Sequence, residues 1–109
     1  MPGTLFLVAT PIGNLGDMTP RALQVLTDAD LIAAEDTRRT LQLLNHFSIK
    51  GKLIHYDENN KEKQGPVLLQ ELLQGNNVAL VTDAGFPGIS DPGEAMAQLA
   101  IENGITVTP

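Results

Sequence analysis

Carboxylates, guanidinium groups and glycine-rich turns gather in three segments of this sequence, each directly after an apolar, β-branched run. They are Thr10-Pro11-Ile12-Gly13-Asn14-Leu15-Gly16-Asp17, Glu35-Asp36-Thr37-Arg38 and the stretch from Thr82 to Gly93. The last holds three glycines, two prolines and two aspartates in twelve residues, more than a tight strand-to-helix connection needs. Asp83 is suited to accept hydrogen bonds from a ligand hydroxyl or amine. Gly85 and Gly88 would leave backbone groups open to a planar ring, and Phe86 and Ile89 would add apolar contact or pin the loop to the body of the domain. The acid pair Glu35 and Asp36 has the chemistry of a metal ligand or general base. With no histidine or further acid close by, a helix start, where the dipole favours negative charge, explains the pair more simply. Arg38 and Arg39 suit phosphate or carboxylate contact through their bidentate geometry, and a solvated helix face accounts for them as well.

The first segment has the glycines of a ligand loop without a known phosphate fingerprint. Gly13-Asn14-Leu15-Gly16 lacks the leading glycine of the dinucleotide motif, and no Lys-Ser/Thr pair makes it a Walker A loop. Pro11 and Gly13 would let backbone approach a ligand, or merely turn the chain toward the next helix. His46 and His55, with no third ligand, read as a helix end and a strand end. The stretch from Lys50 to Lys63, where Tyr56 stands among Asp57, Glu58, Asn59 and Asn60, is mixed in sign and reads as a solvated edge.

These segments need a scaffold that brings them together, and the hydrophobic pattern supplies one. Leu5 to Ala9, Leu31 to Ala34, Lys52 to His55, Val78 to Val81 and Ile105 to Val107 read as strands. Between them lie four helical patterns. The first is opened by Thr19 as N-cap and Pro20 at N1. The second carries Leu41, Leu44 and Phe47 after a cap at Asp36 or Thr37. The third shows Val67, Leu68, Leu72 and Leu73 and ends at Gly75. The fourth is opened by Asp91-Pro92-Gly93-Glu94 in capping-box spacing and carries Ala95, Met96, Leu99 and Ala100. Strict β/α alternation predicts an α/β domain: a five-stranded parallel sheet with helices on both faces and right-handed crossovers. In such sheets the loops at the carboxyl ends of the strands share one edge, so three sequence-distant segments meet there.

The 109 residues suit one domain, and the absence of cysteine excludes a disulfide scaffold and a thiolate site. No apolar run approaches a membrane span, so a soluble, cytoplasmic protein is the expectation. Thirteen acids face seven bases, for a formal net charge of -6, and every base precedes residue 64. An acidic domain binds polyphosphate poorly on its own, so other surfaces must help if RNA is the partner.

Together, Leu7 to Asp17, Leu31 to Arg38 and Asp83 to Gly93 closely resemble the ribosomal RNA small subunit methyltransferase I family, of the tetrapyrrole (corrin/porphyrin) methylase fold. The resemblance runs through the whole chain in order. It implies a sheet of order 3-2-4-1-5 and a two-domain protein in which residues 1–109 are the amino-terminal α/β domain. S-adenosylmethionine would sit in the cleft between domains, with no metal. It implies 2′-O-methylation of a cytidine in 16S rRNA of the small ribosomal subunit by a cytoplasmic homodimer. By the same resemblance Pro11, Gly13, Asp83, Ala84, Gly85 and Ile89 lie on the cofactor side, and Glu35, Asp36 and Arg38 on the substrate side; no general base is identified. The sequence stops at Pro109 just after the fifth strand begins, which reads as a cut through a longer polypeptide whose fragment is inactive alone.

Two other readings share this pattern. A methylase of small tetrapyrroles would have the same fold, although the wording of the second and third segments favours the RNA branch. A receiver-type signalling domain also has five βα units. It would need an acidic pair after strand one, where only Asp17 is offered.

Overall fold

The computed structural model describes residues 1–11, 15–83 and 92–109. Five strands alternate with four helices: β1 (Thr4–Thr10), α1 (Pro20–Asp28), β2 (Leu31–Ala34), α2 (Thr37–His46), β3 (Leu53–His55), α3 (Lys61–Leu73), β4 (Val78–Asp83), α4 (Pro92–Glu102) and β5 (Thr106–Thr108). A 3-10 turn, Leu15–Asp17, precedes α1. All strand pairs are parallel and the order is β3-β2-β4-β1-β5, as the family resemblance implies. Flavodoxin-like sheets, receivers included, run 2-1-3-4-5, so this order removes the receiver-type alternative.

Helices cover both faces, which is why the strands read as continuous apolar runs instead of alternating ones. All four residues of β2 are buried. Side chains still alternate between faces. Val8, Ile32, Ala34, Ala79 and Val81 pack with Leu26 of α1 and Leu43 and Leu44 of α2. Leu5, Leu31, Ala33, Val78 and Leu80 pack on the other side with Leu68 and Leu72 of α3 and Met96 and Ala100 of α4.

Local signals set the helix ends. Thr19 Oγ1 accepts from the Ala22 N–H at 3.1 Å, with Pro20 at the first helical position. Asp36, not Thr37, caps α2. The turn after α3 passes through Gly75 at φ +99°, a left-handed conformation that a side chain would strain.

Three helix faces differ from expectation. In α2 the buried residues are Thr40, Leu43 and Leu44, while Leu41 is 50% exposed. In α3 Gly65, Leu68 and Leu72 are buried, while Val67 and Leu73 are 46% and 45% exposed. In α4 Met96 and Ala100 face the core and Ala95 faces solvent. A larger correction concerns Tyr56, which is only 2% exposed and belongs to the core over α3 and α4. The stretch from Lys50 to Lys63 is therefore a solvated edge with a buried aromatic anchor.

Candidate functional site at the carboxyl edge of the sheet

The central strands β1 and β4 run in register from Leu5↔Val78 to Thr10↔Asp83, so they end level. Thr10 is buried, and its hydroxyl donates to the Thr82 carbonyl at 3.2 Å, tying the two ends together. The chain thus leaves β1 through Pro11 beside the point where it leaves β4 at Asp83, and two of the cofactor-side candidates come together. Gly13, Ala84, Gly85 and Ile89 lie outside the described residues, as do Phe86, Gly88 and Asp91.

The β2–α2 connection reaches the same edge. Asp36 Oδ1 accepts from the Arg39 N–H at 3.0 Å, which starts α2. From the first turn of that helix the Arg39 side chain extends to β1, where Nη2 donates to the Pro11 carbonyl at 2.7 Å in a partly buried setting. Because β4 lies between β2 and β1, this contact links segments that follow two strands not paired with each other.

Glu35, Asp36 and Arg38, all exposed, line one open cleft of about 560 Å³. Its opposite wall is Asp57, Glu58 and Asn59 from the β3–α3 connection. Sequence reasoning missed that wall because its residues read as ordinary solvated surface. The strand order implied by the family resemblance, which sets β3 beside β2, was the signal that would have placed it, and the pairing Ala34↔His55 shows the two strand ends level.

Most of the wall's polar groups have structural partners. Asp57 Oδ1 accepts from the Asn59 and Asn60 N–H groups, both at 2.9 Å, and Oδ2 lies 2.9 Å from His55 Nε2. Asn60 Oδ1 accepts from the Asp57 N–H at 2.7 Å, and its amide donates to the His55 carbonyl at 3.0 Å. Glu58 pairs with Lys61 at 2.8 Å, which raises the Lys61 pKa above its usual value near 10.5, chiefly through that hydrogen bond. His46 and His55 occupy a helix end and a strand end, as the sequence suggests. Among the described residues no three His, Asp or Glu side chains converge as metal ligands would.

The edge therefore offers two neighbouring environments. Beside β1 and β4 lie backbone groups and Asp83, at the strand ends. Beside β2 and β3 lies a cleft rich in carboxylate, with Arg38 as the cation on its wall. Carboxylates repel phosphate, so the cleft suits a hydroxyl-bearing or cationic group better than a bare phosphate chain.

Comparison with known proteins agrees with this fold. Curated proteins named ribosomal RNA small subunit methyltransferase I are similar to the chain throughout. That of Halalkalibacterium halodurans is 58% identical over 107 residues, covering 98% of this chain and 37% of the relative. Those of Synechocystis sp. and Escherichia coli O157:H7 are 55% and 50% identical, over 98% of this chain and 38% and 37% of their own lengths. The chain thus spans little more than a third of these relatives. Among solved structures, uroporphyrin-III-C-methyltransferase from Thermus thermophilus superposes with a TM-score of 0.73 at 26% identity, over all of this chain and 48% of that one. A structure of the Thermus thermophilus enzyme complexed with S-adenyl homocysteine has the same fold, with a TM-score of 0.73 at 19% identity over 97% of this chain and 46% of that one. The sequence profile of the Tetrapyrrole (Corrin/Porphyrin) Methylases matches residues 4–109, and the chain belongs to that family.

Proposed function

We propose that residues 1–109 form the amino-terminal α/β domain of a two-domain, S-adenosylmethionine-dependent methyltransferase of small-subunit rRNA. The observation that carries this reading is the level ending of β1 and β4, with Pro11 and Asp83 side by side and the Glu35–Arg38 segment at the same edge. The names of the relatives, at 47–58% identity, supply the substrate class. The solved uroporphyrin methylases share the fold at far lower identity, so the RNA reading is preferred to a tetrapyrrole one.

The bound donor supplies a methyl group already activated by its sulfonium. A cytidine ribose 2′-oxygen bonds to the methyl carbon as the carbon–sulfur bond breaks, sulfur keeps that electron pair, and the hydroxyl proton leaves to a base. Alignment is then the protein's main contribution. In this reading Pro11, Gly13, Asp83, Ala84, Gly85 and Ile89 form the cofactor wall. Glu35, Asp36 and Arg38 face the ribose, in a cleft whose charge keeps the phosphate chain at its rim. The second wall of the cofactor cleft belongs to the other domain of a cytoplasmic homodimer.

The test is methyl transfer from tritiated S-adenosylmethionine by the full-length enzyme, with assembled small subunits, naked 16S rRNA and a tetrapyrrole as acceptors. Label on a cytidine 2′-oxygen of the subunit supports the reading. Label on the tetrapyrrole alone refutes it. With net charge -6 and no base beyond Lys63, this domain lacks the basic groove of a single-strand binder, so the assembled subunit is the better acceptor. Equal rates on a short single-stranded oligonucleotide count against that.

A further inference from the structure

We infer that Arg39 is a positioning residue for the cofactor wall, holding Pro11, where the chain leaves β1, from the start of α2; this rests on the proposed methyltransferase reading. Three observations carry it. The Arg39 Nη2 bond to the Pro11 carbonyl is short, 2.7 Å, and partly buried, so it is a charge-assisted bond sheltered from competing water. The two residues lie 28 apart in sequence, Pro11 just after β1 and Arg39 in the helix after β2, and those two strands are not neighbours, so local chain geometry does not require the contact. The Arg39 backbone is itself fixed, because its N–H is the group that Asp36 caps. The base of the long side chain is thereby held and little freedom is left to its tip.

The bond fixes a particular plane. A peptide unit is rigid, so holding the Pro11 carbonyl sets the plane in which the chain leaves Pro11. Arg39 also joins the two halves of the site: its backbone begins the helix behind Glu35, Asp36 and Arg38, and its guanidinium holds the loop beside Asp83. A lysine can also donate to the Pro11 carbonyl, though without the planar fork that reduces the entropy lost per bond.

The experiment compares wild-type, R39Q and R39K full-length enzymes, with R21Q as a control for loss of an exposed guanidinium. S-adenosylmethionine affinity is measured by calorimetry and amide exchange by mass spectrometry over residues 10–18. If the competent loop conformation falls to a tenth of the population, apparent affinity falls about tenfold. R39Q is expected to lose about that much affinity and to exchange faster over 10–18, with circular dichroism unchanged; R39K should recover part of both, and R21Q should match wild type. A raised KM for S-adenosylmethionine with kcat retained at saturation belongs to the same outcome. Wild-type affinity and exchange in a folded R39Q overturn the inference. If R39Q does not fold, R39K decides, because full wild-type affinity with accelerated exchange would show the tether to be irrelevant to the cofactor. A wild-type enzyme that binds no S-adenosylmethionine overturns the methyltransferase reading itself, a result separable from the others.

Discussion

At the amino end of the sheet polar groups are drawn into the fold's backbone network, whereas at the carboxyl end Glu35, Asp36 and Arg38 stay exposed to solvent. Asn77 is the hub of the first. Its side-chain oxygen accepts from the Thr4 N–H at 2.9 Å, its own N–H donates to Asp30 Oδ2 at 2.8 Å, and its carbonyl accepts from the N–H groups of Asp30 and Leu31. Gly3 donates to the Leu72 carbonyl at 2.7 Å and lies so close to Asn76 that only glycine fits. At the other end Glu35, Asp36 and Arg38 are exposed around an open cleft, with Thr10 and Arg39 as ties between the strand ends. One edge holds the strands in register so that the other can present groups to ligands, which is the division of labour expected of a site carried on a rigid scaffold.

The largest effect that would break this comparison is steric. A Cβ on Gly3 would stand 1.9 Å from the Asn76 carbonyl oxygen, a backbone atom that cannot rotate away. Gly3→Ala is expected to cost about 3 kcal/mol of stability, the upper part of the range for overpacking. Urea unfolding measures it, and S-adenosylmethionine affinity below the transition should match wild type. A stable variant with weakened cofactor binding would show that the amino edge is not merely structural.

The matching change at the carboxyl edge is Asp83→Ala. Losing a buried hydrogen bond to a ligand costs about 2 kcal/mol, roughly thirtyfold in affinity. Calorimetric titration of the full-length enzyme should show that loss with the unfolding midpoint retained. Unchanged affinity in a folded variant removes Asp83 from the cofactor wall.

How much of this was legible in the sequence depended on range. Thr19-Pro20 marks the start of α1 because a cap and its helix are three residues apart, and Leu31 to Ala34 is bounded as a strand because all four side chains are buried. The faces of α2 and α3 were misjudged because apolar residues there fill more than one stripe. Only contact with the sheet decides that Leu43 goes in and Leu41 out. Tyr56 was hidden by its charged neighbours, since the Leu68 and Leu72 it packs among arrive later in the chain. The two site relations that link loops, Arg39 to Pro11 and the Glu35–Arg38 segment across from Asp57 and Glu58, depend on strand order, which hydrophobic periodicity does not encode.

A smaller effect separates fold from function at Asp36. Its carboxylate caps α2 and also lines the cleft. Asp36→Ala should cost about 1 kcal/mol, and Asp36→Asn, an equally good cap, almost nothing. Asn keeps the acceptor but removes the charge. If methyl transfer falls in the Asn variant while thermal stability holds, the charge serves the substrate; if both variants lose activity only in proportion to stability, Asp36 is a cap alone.

The smallest effect concerns Glu58, on the far wall of the cleft, and its partner Lys61 in the first turn of α3. Their hydrogen bond holds the Lys61 pKa above its usual value near 10.5. A lysine whose folded-state pKa is raised contributes stability that is fully present below the unfolded value and lost as pH rises through the folded one. The Tm difference between wild type and Glu58→Gln should therefore be small, steady from pH 7 to pH 9, and vanishing above the lysine range; high salt should shrink it at any pH. A difference that grows with pH contradicts this pairing. Because so little stability is at stake, any change in methyl transfer by Glu58→Gln near neutral pH reports on the cleft and not on the fold, which makes this weak pair a sensitive probe of whether the acidic wall meets the substrate.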